Sequence, residues 1–147
     1  MPMSNEITRR IAVICILIIG LGCGGNDLET EVSEAAAVII TAPAENDVVA
    51  GSVRVVLSTR NVEVRPAGTV EAGTGHHHLF IDRDITPIGE PIPVQEGIVH
   101  LGMAQTEHMF ENLAPGEHMI IAVLGDHIHS RLADAATDTV RVTVGES

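Results

Sequence analysis

The chain has 147 residues, 45% of them hydrophobic, with two Phe and neither Tyr nor Trp. Eight basic residues, all Arg, against twenty acidic ones give a formal charge of 8 − 20 = −12, which repels phosphates and argues against nucleic acid as a partner. The length suits a single domain, the apolar fraction excludes general disorder, and the aliphatic, β-branched composition favours strands.

Residues 1–22 read as an export signal of lipoprotein type. Arg9 and Arg10 end a positive head, residues 11–19 (IAVICILII) are unbroken apolar chain, and Gly20-Leu21-Gly22 leads into Cys23. The apolar run of about 11 residues is shorter than the roughly 20 that span a bilayer as a helix. Gly20 to Cys23 resembles a bacterial lipobox, although Gly20 stands where that pattern prefers Leu. The resemblance implies that Cys23 is lipidated and anchors the chain to a membrane. Gly24 after it implies the periplasmic side of an outer membrane. Cys15 would leave with the signal, so the mature domain is expected to lack a disulfide. Residues 23–35, Gly-rich and then acidic, read as a solvated tether.

Residues 36–145 carry the pattern of short strands broken by turns. Residues 37–41 form an apolar run ending at Pro43, and residues 44–47 form a turn. In residues 52–59, Val53, Val55 and Leu57 alternate with Arg54, Val56 and Ser58, as in a half-buried strand. Residues 62–65 alternate again, and residues 76–82 (HHHLFID) form a further strand candidate. Residues 83–97, with three Pro and two Gly, predict a long surface loop. Short strands follow at 98–101 and 108–113, then a tight turn at 114–117. Residues 118–124 (HMIIAVL) predict a strand buried on both faces. Residues 130–136 are ambiguous and fit a helical turn, and 137–144 close the domain with Val140, Val142 and Val144 on one face. The spacing predicts an all-β, immunoglobulin-like antiparallel β-sandwich of about seven strands.

All eight histidines lie between His76 and His129. In a strand, residues two apart share a face, so His76 and His78 project together while His77 joins Leu79 and Ile81 on the core side. His77 therefore reads as a buried, neutral histidine bonded to backbone. His127 and His129 repeat the same spacing after Gly125-Asp126, and His100 and His118 lie on strand candidates of their own. Neutral imidazole is the commonest metal ligand and suits copper and zinc. The candidate metal ligands are His76, His78, His100, His127, His129 and His118, with Asp126 and Asp82 as carboxylates able to orient them. Met103, Met109 and Met119 stand near histidines in sequence and would favour Cu(I) if they reached the site, though filling a core is the commoner role. The competing reading has the histidines knitting loops together in an interaction module. Its proline-rich 83–97 loop would then meet a protein partner at the cell envelope. No nucleophile elbow or phosphate-cradling glycine loop points to an enzyme.

Five ordered motifs, Gly75-His76-His77-His78-Leu79 with Ile81-Asp82, His100-Leu101-Gly102, Gln105-Thr106-Glu107, Pro115-Gly116-Glu117-His118 and Leu124-Gly125-Asp126, resemble those of the bacterial family called domain of unknown function 4399. The resemblance spans roughly residues 37–144 and implies an exported β-rich domain, without naming an activity. Two departures stand out. Ala104 occupies a place where Gly is expected before Gln-Thr-Glu, and the stretch after His129 lacks the family's prolines.

Overall fold

The computed structural model describes residues 34–146, so the export signal, Cys23 and nearly all of the tether lie outside the described residues. Among the described residues ten strands follow one another: β1 (Ala36–Ala42), β2 (Asp47–Ala50), β3 (Val53–Arg60), β4 (Glu63–Val64), β5 (Thr74–Ile81), β6 (Ile98–Leu101), β7 (Glu107–Phe110), β8 (Gly116–Gly125), β9 (Ala135–Ala136) and β10 (Asp138–Gly145). They build two sheets, one ordered β7-β3-β1-β9 and one ordered β2-β10-β8-β5-β4, with β6 beside β5.

This is the all-β, immunoglobulin-like sandwich that the alternation predicts. The long pairs β1–β3, β3–β7, β10–β8, β8–β5 and β5–β6 are antiparallel. The additional short strands β2, β4 and β9 pair parallel to their neighbours at the edges. The ambiguous 130–136 stretch contains no helix: Ala133 and Asp134 form a turn, and Ala135 and Ala136 pair with Ala36 and Ala37.

Two apolar clusters follow from strand periodicity. Between the sheets, Val38, Val53, Val55, Leu57, Leu79, Ile120, Leu124, Val140 and Val142 form the main core. On the outer face of the larger sheet, Phe80, Ile121 and Val123 are capped by Ile92 from the 83–97 loop. Strand β8 is thus buried on both faces, which explains its unbroken apolar run. The 83–97 loop lies against the sheet, so the segment read as a partner contact is itself a lid on the second cluster. The Ile92 amide donates to the His129 carbonyl at 2.7 Å, and Arg131 and Glu90 are joined backbone to backbone at 3.0 Å.

The link from β6 to β7 explains one sequence departure. Ala104 has φ 60°, the left-handed region where a Cβ is strained and Gly is not. That turn presents the Gln105 carbonyl to His77, while the Gln105 side-chain oxygen accepts the Met103 amide at 2.7 Å. Replacing Ala104 by Gly should stabilise the domain by about 0.5–1 kcal/mol, since strain relief outweighs the entropy of the freer chain. Thermal denaturation of the two proteins checks this, and a lower midpoint for Ala104→Gly would contradict it.

Candidate metal centre

Strand β5 places three consecutive histidines in the middle of a sheet, and its pleat divides them. His77 points into the main core, wholly buried, with its Nδ1 2.9 Å from the Gln105 carbonyl. Burial lowers its pKa, partly opposed by that hydrogen bond, so it is neutral and donates to the carbonyl.

His76 and His78 point to the outer face, 1% and 2% exposed. Across the antiparallel β5–β6 pair His78 is opposite His100, and across β5–β8 His76 is opposite Gly125. After Gly125 the chain turns back over the sheet, which brings His129 onto the same spot. Four imidazoles converge. Their ring centroids are 4.8 Å apart for His76–His78, 5.0 Å for His76–His100 and 4.9 Å for His76–His129. The other three separations are 4.9 Å for His78–His100, 5.9 Å for His78–His129 and 4.6 Å for His100–His129. One ring nitrogen from each of His76, His100 and His129 lies within 4.8 Å of the others. His78 Nε2 is 2.9 Å from His76 Nε2, and His129 Nε2 is 3.1 Å from His100 Nε2.

Backbone features make room for these rings. A Cβ on Gly125 would sit 2.9 Å from His78 Nε2, and one on Gly102 would sit 2.3 Å from a His100 ring carbon. Neither glycine was a candidate from sequence, although both belong to the motifs that carry the family resemblance. His129 has φ 66°, a left-handed conformation rare for a histidine. Asp126 holds that turn: its Oδ1 accepts the amides of Ile128 at 2.9 Å and Ser130 at 2.8 Å. The Asp126 carboxylate thus braces the loop, and its charge also favours protonated His76. A cavity of ≈ 250 Å³ opens beside the rings, walled by His78, His100, His129, Ile92, Ile98 and Ile128.

The other candidate histidines lie elsewhere. His127 is exposed on the 126–131 loop and does not join the four rings. His118 lies near the opposite end of β8, where its Nδ1–H donates to Asp82 at 2.6 Å and its Nε2–H to the Ala114 carbonyl at 2.8 Å. Burial alone would lower its pKa, but these two hydrogen bonds and the Asp82 charge together raise it. Both partners are acceptors, so they favour the protonated ring, in which neither nitrogen has a lone pair for a metal. Asp82 also accepts the Met119 amide at 2.8 Å, so it pins β5 to β8 and serves no ring of the cluster.

In the cluster, burial first and then the neighbouring rings lower His76 to about 4 and His78 to about 3, from the ordinary 6.5. Near neutral pH these rings are uncharged and their lone pairs are available.

A family model described as "Domain of unknown function (DUF4399)" matches residues 55–145, a span that contains all four converging histidines. Among solved structures, the chain is similar to one described as "Structures of Clostridium thermocellum CbhA fibronectin(III)-like modules". The identity is 16% and the TM-score 0.47, covering 75% of this chain and 98% of that one. No curated protein matches the sequence.

Acid should destabilise the metal-free domain. Between pH 6.5 and about 4 an unfolded chain binds protons that folded His76 and His78 refuse. Stability is therefore complete above pH 6.5 and falls as pH drops through that window. His118 acts with the opposite sign, its contribution being present below 6.5 and lost as pH rises through its raised value. Urea unfolding of His118→Gln from pH 8 to 4 removes that opposing contribution, leaving the fall to the cluster together with His77 and His108, which burial also lowers, and a flat profile would contradict the assignment.

Proposed function

The chain belongs to the family of the domain of unknown function (DUF4399), and we propose that it is an exported, lipid-anchored protein that binds a transition-metal ion at the cell envelope. Arg9-Arg10, the apolar run after them and Gly22-Cys23 support export and anchoring, most simply on the periplasmic side of an outer membrane. The ion is copper or zinc, the metals for which neutral imidazole is a good donor.

One observation carries the metal reading: nitrogens of His76, His100 and His129 within 4.8 Å of one another, with His78 joined to His76. Metal–imidazole bonds of about 2.0–2.1 Å in a tetrahedral shell separate neighbouring nitrogens by about 3.3 Å. The two pairs at 2.9 and 3.1 Å need to widen by only a few tenths of an ångström. His129 in a left-handed backbone adds support, because such strain is held where a side chain must be aimed. A second reading has its own observation. The same two nitrogen pairs are also within hydrogen-bonding distance, so the rings could serve as a neutral bonded network in a non-catalytic interaction module.

Segment Val32–Ser147 contains all ten described strands and both apolar clusters, and it can be titrated without an affinity tag. Copper and zinc should each bind one equivalent to the wild-type segment, and His76→Ala/His129→Ala should weaken binding by about 100-fold or more. His127→Ala and His118→Ala should leave it unchanged. Equal uptake by the wild type and the double variant would favour the bonded-network reading.

A further inference from the structure

The arrangement of the four rings bears on which ion fits and whether a reactive water has a place on it. This deepens the metal reading above and rests on it. In a tetrahedral shell all six separations between ligands are alike, and imidazole centroids lie about 5.2 Å apart for bonds of about 2.0–2.1 Å. A square plane instead makes two opposite pairs, sharing no ring, about 1.4 times longer than the other four. Five of the six separations here are 4.6–5.0 Å, and only His78–His129 reaches 5.9 Å. The pair complementary to it, His76–His100, is 5.0 Å, so the second diagonal of a square is missing. The four ring centroids thus form a slightly stretched tetrahedron, within which the ligand nitrogens of His76, His100 and His129 lie within 4.8 Å of one another and His78 Nε2 reaches the group through His76.

His78 decides whether that tetrahedron is complete. Its Nδ1 is buried with no hydrogen-bond partner among the described residues, which leaves Nε2 as the ring's one polar outlet. That Nε2 faces His76 Nε2, in space left free by Gly125. The remaining donor chemistry is all nitrogen. Met103 is 79% exposed and Met119 packs beside the Phe80 cluster, so neither thioether joins the rings to favour Cu(I).

We infer that His78 is the fourth ligand, closing a tetrahedral four-imidazole shell that suits Zn²⁺ and leaves no position for a metal-bound water. The site then holds an ion without activating water, since hydrolytic zinc centres keep one of four positions open.

X-ray absorption of the zinc-loaded wild-type segment counts the imidazoles without any substitution. Four nitrogens at about 2.0–2.1 Å, each with the outer-shell scattering of an imidazole ring, are expected. Three imidazoles and one oxygen would overturn the closed shell while leaving metal binding intact. Cobalt in place of zinc gives an independent readout, because tetrahedral Co²⁺ absorbs far more strongly in the visible than six-coordinate Co²⁺. The wild type should show the intense bands. His78→Gln, verified as folded by its amide spectrum, should shift the position of those bands as an oxygen replaces the fourth nitrogen, and bind zinc about 100-fold more weakly. Weak bands in the wild type, or unchanged bands and affinity in His78→Gln, would overturn the inference. Failure of the wild type to take up either ion would remove the metal reading and this inference with it.

Discussion

Strand alternation acting on three adjacent histidines fixes most of what this domain can do. A β-strand sends successive side chains to opposite faces, so a run of histidines in the centre of a sheet cannot act as one group. His77 goes inward, where it joins the sheet to the 102–106 turn through the Gln105 carbonyl. His76 and His78 go outward, onto a face that would otherwise be as apolar as the Phe80, Ile121 and Val123 patch next to it. Burying imidazoles there is costly unless each ring nitrogen finds a partner. For their Nε2 atoms the surrounding structure supplies other imidazoles, while His78 Nδ1 has no partner among the described residues. His100 comes from the neighbouring strand and His129 from the loop that returns over the sheet.

The two carboxylates near these histidines have separate mechanical tasks. Asp126 organises the turn that carries His129, through two backbone amides and at the cost of a left-handed backbone. Asp82 ties the far end of β5 to β8 and favours the protonated form of His118. Six of the eight histidines therefore fall into three kinds: a neutral brace in the core, a clamp bonded to Asp82 at the end of a strand pair, and the outward cluster of four, while His108 packs on Phe110 and His127 is exposed. Burial and hydrogen-bond partners separate them, since the side chain is the same in each.

Much of this was legible in the sequence, and for physical reasons. Period-two alternation in residues 52–59 and 137–144 located strands and their inward faces, because a half-buried strand has no other way to satisfy both sides. The same rule placed His77 apart from its neighbours. The short edge strands were illegible: β2, β4 and β9 are two to four residues long, pair parallel, and have too few side chains to show a period. The cluster was half legible. Spacing alone joined His76 to His78, but it could not separate His127 from His129, because residues two apart share a face only while the backbone stays extended. Asp126 and the positive φ of His129 bend that loop, and one ring is turned in while the other is left outside. His118 was misleading for a different reason. Its fate depends on Asp82, thirty-six positions away. The two glycines were visible as motif letters, with no sign that ring atoms would occupy the place of their missing side chains.

The four outward histidines do not stand on equal foundations. His76 and His78 belong to a strand hydrogen-bonded on both sides, whereas His129 rides on a loop fastened by a few amides and by the seam to residues 90–92. Any cargo shared among them would be lost by peeling that flap, with the sheet beneath left intact. Its residence time would then be set by how often a six-residue segment lifts, so the escape rate could be tuned by changes at the seam that touch no imidazole.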